Sequence, residues 1–140
     1  MATLTSQVTA GAVSSSNTTA VTPPADAIGG AFQLDVTAAA TDAGDTLDVY
    51  IQHTMDGTNY DDFIHFTQVL GNGGAKRFRA QWSGLVVSGT PLAPVGDAAM
   101  AASVLQGPVG KPWRVKWVVV DGDANSAFTF TVKASYIRDE

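Results

Sequence analysis

Apolar and polar residues alternate along five stretches of this chain, with the period of two that is typical of a β-strand with one buried face. Each stretch places its apolar side chains on one side and its polar side chains on the other. The apolar positions are Phe32, Leu34, Val36 and Ala38; Leu47, Val49 and Ile51; Phe78, Ala80 and Trp82; Trp113, Val115, Trp117 and Val119; and Phe128, Phe130, Val132, Ala134 and Tyr136. The pattern predicts five strands that enclose a common core.

A sixth strand is predicted from Phe63 to Val69, where apolar residues occur on both sides and both faces are therefore expected to be covered. Asp56-Gly57, just before it, predicts a hairpin turn. The segment 71–74 predicts another turn, and the segment 121–125 predicts a hairpin between the last two strands.

The segment 83–112 is rich in Gly, Pro and Ala and has no clear period. It contains a strand-like Leu85-Val86-Val87, and the part from Asp97 to Leu105 fits either a short helix or a strand. The composition, with 14 Gly, few Leu and one Glu, favours strands over helices. Short strands joined by turns indicate an all-β fold, and we expect a jelly-roll-like β-sandwich with an extended N-terminal arm rather than a barrel.

The first charged residue of the chain is Asp26, and the residues before it are mostly Thr, Ser and Ala. Single apolar residues interrupt this stretch at Leu4, Val8, Val13 and Val21. Pro23-Pro24 and Gly29-Gly30 then separate it from the first clear strand. We expect residues 1–30 to form an extended assembly arm and residues 31–140 a single domain that folds without it. The arm would add a strand to a neighbouring sheet or lie in a groove of a partner.

Composition excludes several classes of protein. The chain has 140 residues and no cysteine, so stability does not rest on disulfides and a reducing cytoplasm is compatible. No apolar run approaches the roughly 20 residues that cross a bilayer, and no secretion signal is visible, which predicts a soluble protein. A net charge of −5 argues against binding to nucleic acid.

Charge is divided between the two halves. Residues 1–75 contain eight Asp and no Lys or Arg, while residues 76–140 hold all eight basic residues and five acidic ones. Neighbouring acidic and basic strands in one sheet are the simpler interpretation, and contact between copies is the alternative. The outward positions Arg77, Arg79, Arg114, Lys116 and Lys133 would form one basic docking stripe if their strands were neighbours.

No arrangement of residues predicts catalysis. His53 and His65 stand at unequal distances from the Asp56-Gly57 turn, so we expect ordinary strand histidines that do not face each other. The chain has neither a Gly-x-Ser-x-Gly elbow nor a cysteine nucleophile. Asp61-Asp62 is interpreted as a solvated strand end rather than an acid and base pair.

Two further patterns favour structure over ligand binding. The run Asp121 to Asn125 resembles the start of a calcium loop, but Ser126 and Val132 stand where Gly and Glu are needed, so turn chemistry explains it. The tryptophans Trp82, Trp113 and Trp117 alternate in phase with core residues, which predicts burial rather than sugar stacking. We therefore expect no cofactor and no metal.

The run 46–66 resembles a segment of small structural proteins of tailed-bacteriophage virions, and so does the ending that combines 113–117 with 127–132. Within that group the chain is most similar to a capsid decoration, or cement, protein. The resemblance implies a non-enzymatic protein on the capsid surface, assembled in the host cytoplasm. It also implies that the partners are the major capsid protein and copies of the chain itself, as a homotrimer.

Residues implied in assembly are Leu4, Val8, Val13, Val21, Arg77, Arg79, Arg114 and Lys116, together with the loops of residues 83–112. A neck or tail component of the same kind of virion is one alternative. A carbohydrate-binding module is another, and it would use exposed aromatic residues such as Tyr50 or Tyr60.

Overall fold

The structure is a computed structural model that describes residues 2–5, 7–10, 15–39, 42–86, 95–120 and 127–139. All regular secondary structure in these ranges is β-strand. The strands are β1 (Ala2–Thr3), β2 (Val8–Ala10), β3 (Ser15–Asn17), β4 (Ala27–Ala38), β5 (Thr46–Thr54), β6 (Tyr60–His65), β7 (Val69–Leu70), β8 (Lys76–Ser83), β9 (Ser103–Val104), β10 (Trp113–Val120) and β11 (Phe128–Arg138).

These strands form two sheets whose strand pairs are all antiparallel. Sheet A has the order β1-β11-β4-β8, with β2 beside β1 on the same edge of β11. Sheet B has the order β3-β10-β5-β6-β9, with β7 also on β5. The pairs β4–β11 and β5–β10 are nested, because the first long strand pairs with the last and the second with the last but one. The prediction of an all-β, jelly-roll-like sandwich is confirmed.

The core lies between the sheets and consists of the inward positions that the alternation identifies. Nearly all of those side chains are buried, including the three tryptophans, which confirms that the tryptophans are core residues. Phe78 and Tyr136 are only half buried, and Ala38 is exposed, because each lies toward the end of a strand. The asparagine-glycine turn at 71–74 and the Asp56-Gly57 hairpin are also confirmed, and Gly57 has the positive φ of 81° that such a turn requires.

Three predicted elements are wrong. The last two long strands, β10 and β11, belong to different sheets, so the connection between them is not a hairpin. The strand predicted over 63–69 begins earlier, at Tyr60, and is interrupted at 66–68 before β7. Leu85 and Val86 of the strand-like run are exposed turn residues after the end of β8, and Val87 lies outside the described residues. Alternation identifies the buried face of a strand but not its partner, which explains the first error.

The segment before Pro23 lies against its own chain. β1 and β2 pair with β11, and β3 pairs with β10, so the segment borders both sheets on one side of the sandwich. Leu4 and Ala10 are buried in the core, and Val8 and Val21 pack against it. Val21 also exchanges two backbone hydrogen bonds with Trp113, at 2.7 and 2.9 Å. The N-terminal segment of this structure therefore closes the sandwich.

Gly110 lies where the chain before β10 crosses the end of β5, and it offers a test of this packing. A Cβ atom at Gly110 would overlap the carbonyl oxygen of Thr54. We expect Gly110→Ala to lower the free energy of unfolding by about 1–3 kcal/mol, since part of the backbone must shift. Gly44→Ala is the matched control, because a Cβ there meets no atom within 4 Å. Urea unfolding of both variants checks this, and equal stabilities would contradict it.

Candidate functional site

The four apolar residues assigned to the assembly arm differ in their surroundings. Leu4 is 6% exposed and Val8 and Val21 are half buried, all three against the core of their own chain. Val13 lies outside the described residues. Contact of Leu4 with another subunit would therefore require the segment to leave its place on β11.

Two edges of the sandwich differ in their chemistry. Strand β8 is paired on one side with β4, and its first part carries Lys76, Arg77 and Arg79, all exposed. Strand β3 pairs on one side with β10, and its three residues are Ser, Ser and Asn, all exposed. Charged side chains on an edge strand oppose pairing with another chain, whereas small neutral side chains permit it. The β8 edge is thus protected, whereas the edge strands β1, β2 and β3 carry no charge.

The five basic residues do not form one stripe. Arg77, Arg79 and Lys133 lie on the outer face of sheet A, because their strands β8, β4 and β11 are neighbours. Arg77 lies beside Asp35 on β4, with 3.7 Å between Nε and Oδ1, so an acidic and a basic strand are neighbours as the simpler interpretation expects. Arg114 and Lys116 lie on β10 in sheet B, on the opposite face of the sandwich.

Arg114 and Lys116 are largely covered, with side chains 18% and 16% exposed. Both approach Oδ2 of Asp97, at 3.7 Å each, and Asp97 belongs to the segment 95–102 that lies over sheet B. Arg114 also donates from Nε to Oε1 of Gln52 at 2.7 Å. These two cations are occupied within the chain, and they do not present a free docking surface.

The segment 95–102, called the covering loop below, is fixed by Asp62. This carboxylate is buried and accepts hydrogen bonds from the backbone N–H groups of Ala98, Ala99 and Met100, at 2.9, 2.7 and 3.0 Å. The backbone N–H of Asp62 donates to the carbonyl of Gly96 at 3.0 Å. The interpretation of Asp62 as a solvated strand end is therefore wrong, because the covering loop excludes water from it.

Gln52 joins the covering loop to β10. It is fully buried, and its Nε2 donates to Oδ1 of Asp62 at 2.8 Å and to Oδ1 of Asp97 at 2.7 Å. Its Oε1 accepts from Arg114, whose guanidinium lies 4.1 Å from the centre of the Tyr60 ring. Each polar group of this network has a partner, so the network fixes the loop instead of presenting a reactive group.

His65 lies at the other end of the covering loop. Its Nε2 is 2.8 Å from Oδ1 of Asp48, and its Nδ1 is 2.7 Å from the carbonyl oxygen of Met100. Its ring stacks on Tyr50 with 4.1 Å between the centroids. Both ring nitrogens are occupied, so the His65 and Asp48 pair has no free nitrogen to take a proton from a substrate.

His53 is the other histidine, and it points into the end of the sandwich. Its Nδ1 accepts from the backbone N–H of Gly110 at 3.0 Å, and burial lowers its pKa, with the charge of Asp61 acting in the opposite direction. In the register of β5 and β6, His53 pairs with Asp61 and His65 pairs with Tyr50. The prediction that the two histidines do not face each other is confirmed.

The aromatic residues required for a sugar platform are covered. Tyr50 is buried beneath His65, and burial followed by the charges of Asp48 and Asp62 raises its pKa to about 12. The ring of Tyr60 is covered by the Arg114 guanidinium. Tyr50 therefore offers no open face for a sugar, and one face of the Tyr60 ring is already occupied.

Metal and membrane sites have no support in the part of the chain that the structure describes. That part contains no group of three His, Asp or Glu residues placed to hold a metal ion. It also contains no helix long and apolar enough to cross a membrane. The possible calcium loop at 121–125 lies outside the described residues.

The network of Gln52, Asp62 and the covering loop is the part that the sequence did not reveal. Alternation places Gln52 on the polar face of its strand, and the sequence places Asp62 at a solvated strand end. The apolar residues on both sides of the strand at 63–69 indicate that both faces are covered, and this is confirmed. This pattern predicts that a segment covers the outer face of the strand, but it does not identify which segment.

Comparison with known proteins leaves the family open. No protein-family model and no curated protein sequence matches the chain. Among solved structures, the cryo-EM atomic structure of broad bean stain virus contains a chain that is 15% identical, with a TM-score of 0.37. The match covers 81% of this chain and spans 61% of that one. A similarity of this strength carries no argument about function, which must rest on the residues of this chain.

Proposed function

We propose that this chain is a non-enzymatic structural protein of a tailed-phage virion that binds the capsid exterior and decorates or stabilises the head. Its partners in this proposal are the major capsid protein and further copies of the chain, as a trimer. The similarity of the segments 46–66 and 113–117 to virion structural proteins suggests the class of protein. The chemistry of the sheet edges supports the mode of binding.

The observation that carries the proposal is that the edge strands β1, β2 and β3 carry no charge. Proteins that remain alone in solution protect such edges with charge, proline or a bulge, as the β8 edge does with Lys76, Arg77 and Arg79. Strand β3 has no charge and is exposed on all three residues. In this proposal a strand of the partner pairs with β3, and repetition over many copies multiplies a weak contact.

The occupied polar groups agree with a binding role. His65, Asp62 and Arg114 are each engaged within the chain, and the described residues contain no nucleophile placed beside a free base. A protein that stabilises a shell requires a rigid surface rather than a reactive group. The network beneath the covering loop supplies that rigidity.

Adding one charge to β3 tests whether this edge strand binds the capsid. Ser15 pairs with Val118 and is exposed, so Ser15→Lys should leave the fold intact while placing a cation on the edge. Leaving that lysine unpaired in an interface costs at least about 1–3 kcal/mol, so we expect binding roughly 10- to 100-fold weaker. The measurement is co-sedimentation of the purified chain with phage heads prepared without it.

Thr58→Lys is the matched control, because it adds the same charge at an exposed position in the turn between β5 and β6. It should bind as the unmodified chain does. Equal binding by both lysine variants would exclude the β3 edge as the contact. If the unmodified chain does not bind heads and instead forms rings or tubes by electron microscopy, the neck or tail alternative replaces the decoration role.

A further inference from the structure

His65 is held between two hydrogen-bond acceptors that belong to different elements. The carboxylate of Asp48 on β5 approaches Nε2, and the carbonyl of Met100 in the covering loop approaches Nδ1, at 2.8 and 2.7 Å. The side chain of His65 is 10% exposed, so water has little access to either contact. Asp48 also accepts from Nε2 of Gln68 through its other oxygen, at 2.9 Å.

The number of protons on the ring decides how many of these contacts are favourable. A neutral imidazole has one N–H, which can serve either Asp48 or Met100, and its other nitrogen then presents a lone pair to an acceptor. An imidazolium donates to both. Asp48 does not supply the missing proton: burial raises its pKa, but hydrogen bonds from His65 and Gln68 outweigh this and keep it below the usual range.

The charges that act on the ring are acidic. Asp48 lies on β5 beside the stacked Tyr50, and Asp62 lies on β6. Asp97 in the covering loop and Lys116 on β10 are paired with each other, at 3.7 Å. Burial lowers the pKa of His65, but the hydrogen bonds to Asp48 and Met100 and the charges of Asp48 and Asp62 prevail and raise it. His53 is the opposite case, since burial lowers its pKa and its Nδ1 must accept a hydrogen bond.

We propose that protonated His65 is a latch that ties the covering loop to β5, and that loss of its proton releases the Met100 end of this loop. Asp62 holds Ala98 and Ala99 in either state, so the opening is confined to the segment 100–105. That segment is held to β6 by the Met100 donor to Asp62, at 3.0 Å, by the pairing of β9 with Ile64 and His65, and by the Leu105 donor to Phe63, at 2.8 Å. These are the contacts that the opening would loosen. The latch would make one surface of sheet B respond to pH, independently of the proposed virion role.

The direction of the pH dependence follows from the raised pKa. The contribution of the latch is complete below the ordinary histidine value of 6.5 and is lost as the pH rises through the pKa of the folded protein. His53 acts in the reverse direction, because its folded pKa is lowered and its contribution is lost as the pH falls. The two histidines can therefore be distinguished in one titration.

The experiment is an NMR titration of the full chain that follows both imidazole rings and the exchange of backbone amides. We expect His65 to titrate above 6.5 and His53 below it. Protection of the Met100 and Leu105 amides, corrected for the intrinsic rate, should fall in step with the His65 titration. Each unit of difference between the pKa values with the loop closed and open corresponds to about a tenfold loss of protection.

Two variants separate the latch from general stability. His65→Gln should remove the pH-dependent step while leaving the amides of β10 protected. Asp48→Asn should move the pKa of His65 and the step together to lower pH, because it removes the charged acceptor. The latch is overturned if His65 in the unmodified chain titrates at or below 6.5, if protection at 100–105 does not follow that titration, or if the step survives in His65→Gln.

Discussion

A chain that lacks residues 2–21 should be destabilised by more than about 5 kcal/mol, which approaches the whole stability of an ordinary domain. The deletion removes Leu4 and Ala10 from the core and uncovers the edges of β10 and β11 together. It also removes the paired backbone hydrogen bonds of Val21 with Trp113. The measurement is thermal unfolding by circular dichroism, with size-exclusion chromatography to detect association through the exposed edges.

The contacts of the N-terminal segment lead to an expectation opposite to that from the sequence alone. Low charge and a Pro-Pro boundary indicate an arm whose deletion leaves the domain folded, whereas burial of Leu4 makes the segment part of the core. A truncated chain that melts within a few degrees of the full chain would support the independent arm. It would also mean that the contacts of β1 and β2 contribute little.

Point substitutions separate the core contact from the loss of chain length. Leu4→Ala should lower the free energy of unfolding by about 2–5 kcal/mol, as for other buried leucines. Thr9→Ala is the control on the neighbouring strand, because Thr9 is exposed and its hydroxyl makes only a long surface hydrogen bond, 3.4 Å from Oγ1 of Thr129. That change should stay within about 0.5 kcal/mol. Equal losses in the two variants would contradict the burial of Leu4.

Much of the fold can be predicted from the sequence, because burial of one strand face produces a local alternation of apolar and polar residues. The runs that begin at Phe32, Leu47 and Phe128 show their inward side chains directly, and all three are core strands. The pairing of strands that are distant in the chain produces no such local pattern. The connection from β10 to β11 resembles a hairpin in the sequence but crosses from one sheet to the other.

The surfaces proposed for binding are harder to predict from the sequence, because they also depend on which segments pack together. Arg77 and Arg114 have the same pattern of outward basic positions, yet one is 70% exposed on sheet A and the other is covered on sheet B. The covering loop decides this, and its sequence is Ala-rich without a period. Its position depends on Asp62. In the sequence this residue resembles any strand-end aspartate, but in the structure it accepts hydrogen bonds from the loop amides.

Asp62→Asn should lower the free energy of unfolding by about 3–5 kcal/mol without changing the volume of the side chain. Oδ1 accepts from Gln52 and Ala98, and Oδ2 accepts from Ala99 and Met100. An asparagine keeps one of these acceptors and replaces the other with an NH₂ group. Whichever way the amide turns, two of the four donors then face its NH₂ group, so two hydrogen bonds become repulsive contacts.

The neighbouring Asp61→Asn makes the same chemical change at a half-exposed position, and it should cost less than about 0.5 kcal/mol. Urea unfolding gives both free energies, and amide exchange at 98–100 shows whether the loss in Asp62→Asn is centred on the covering loop. If the two asparagine variants are equally stable, the four contacts to Asp62 do not hold the loop. If exchange rises at 98–100 in Asp62→Asn alone, the loop is fixed by one buried carboxylate. Rigidity of this face of sheet B then depends on a residue whose side chain is itself buried.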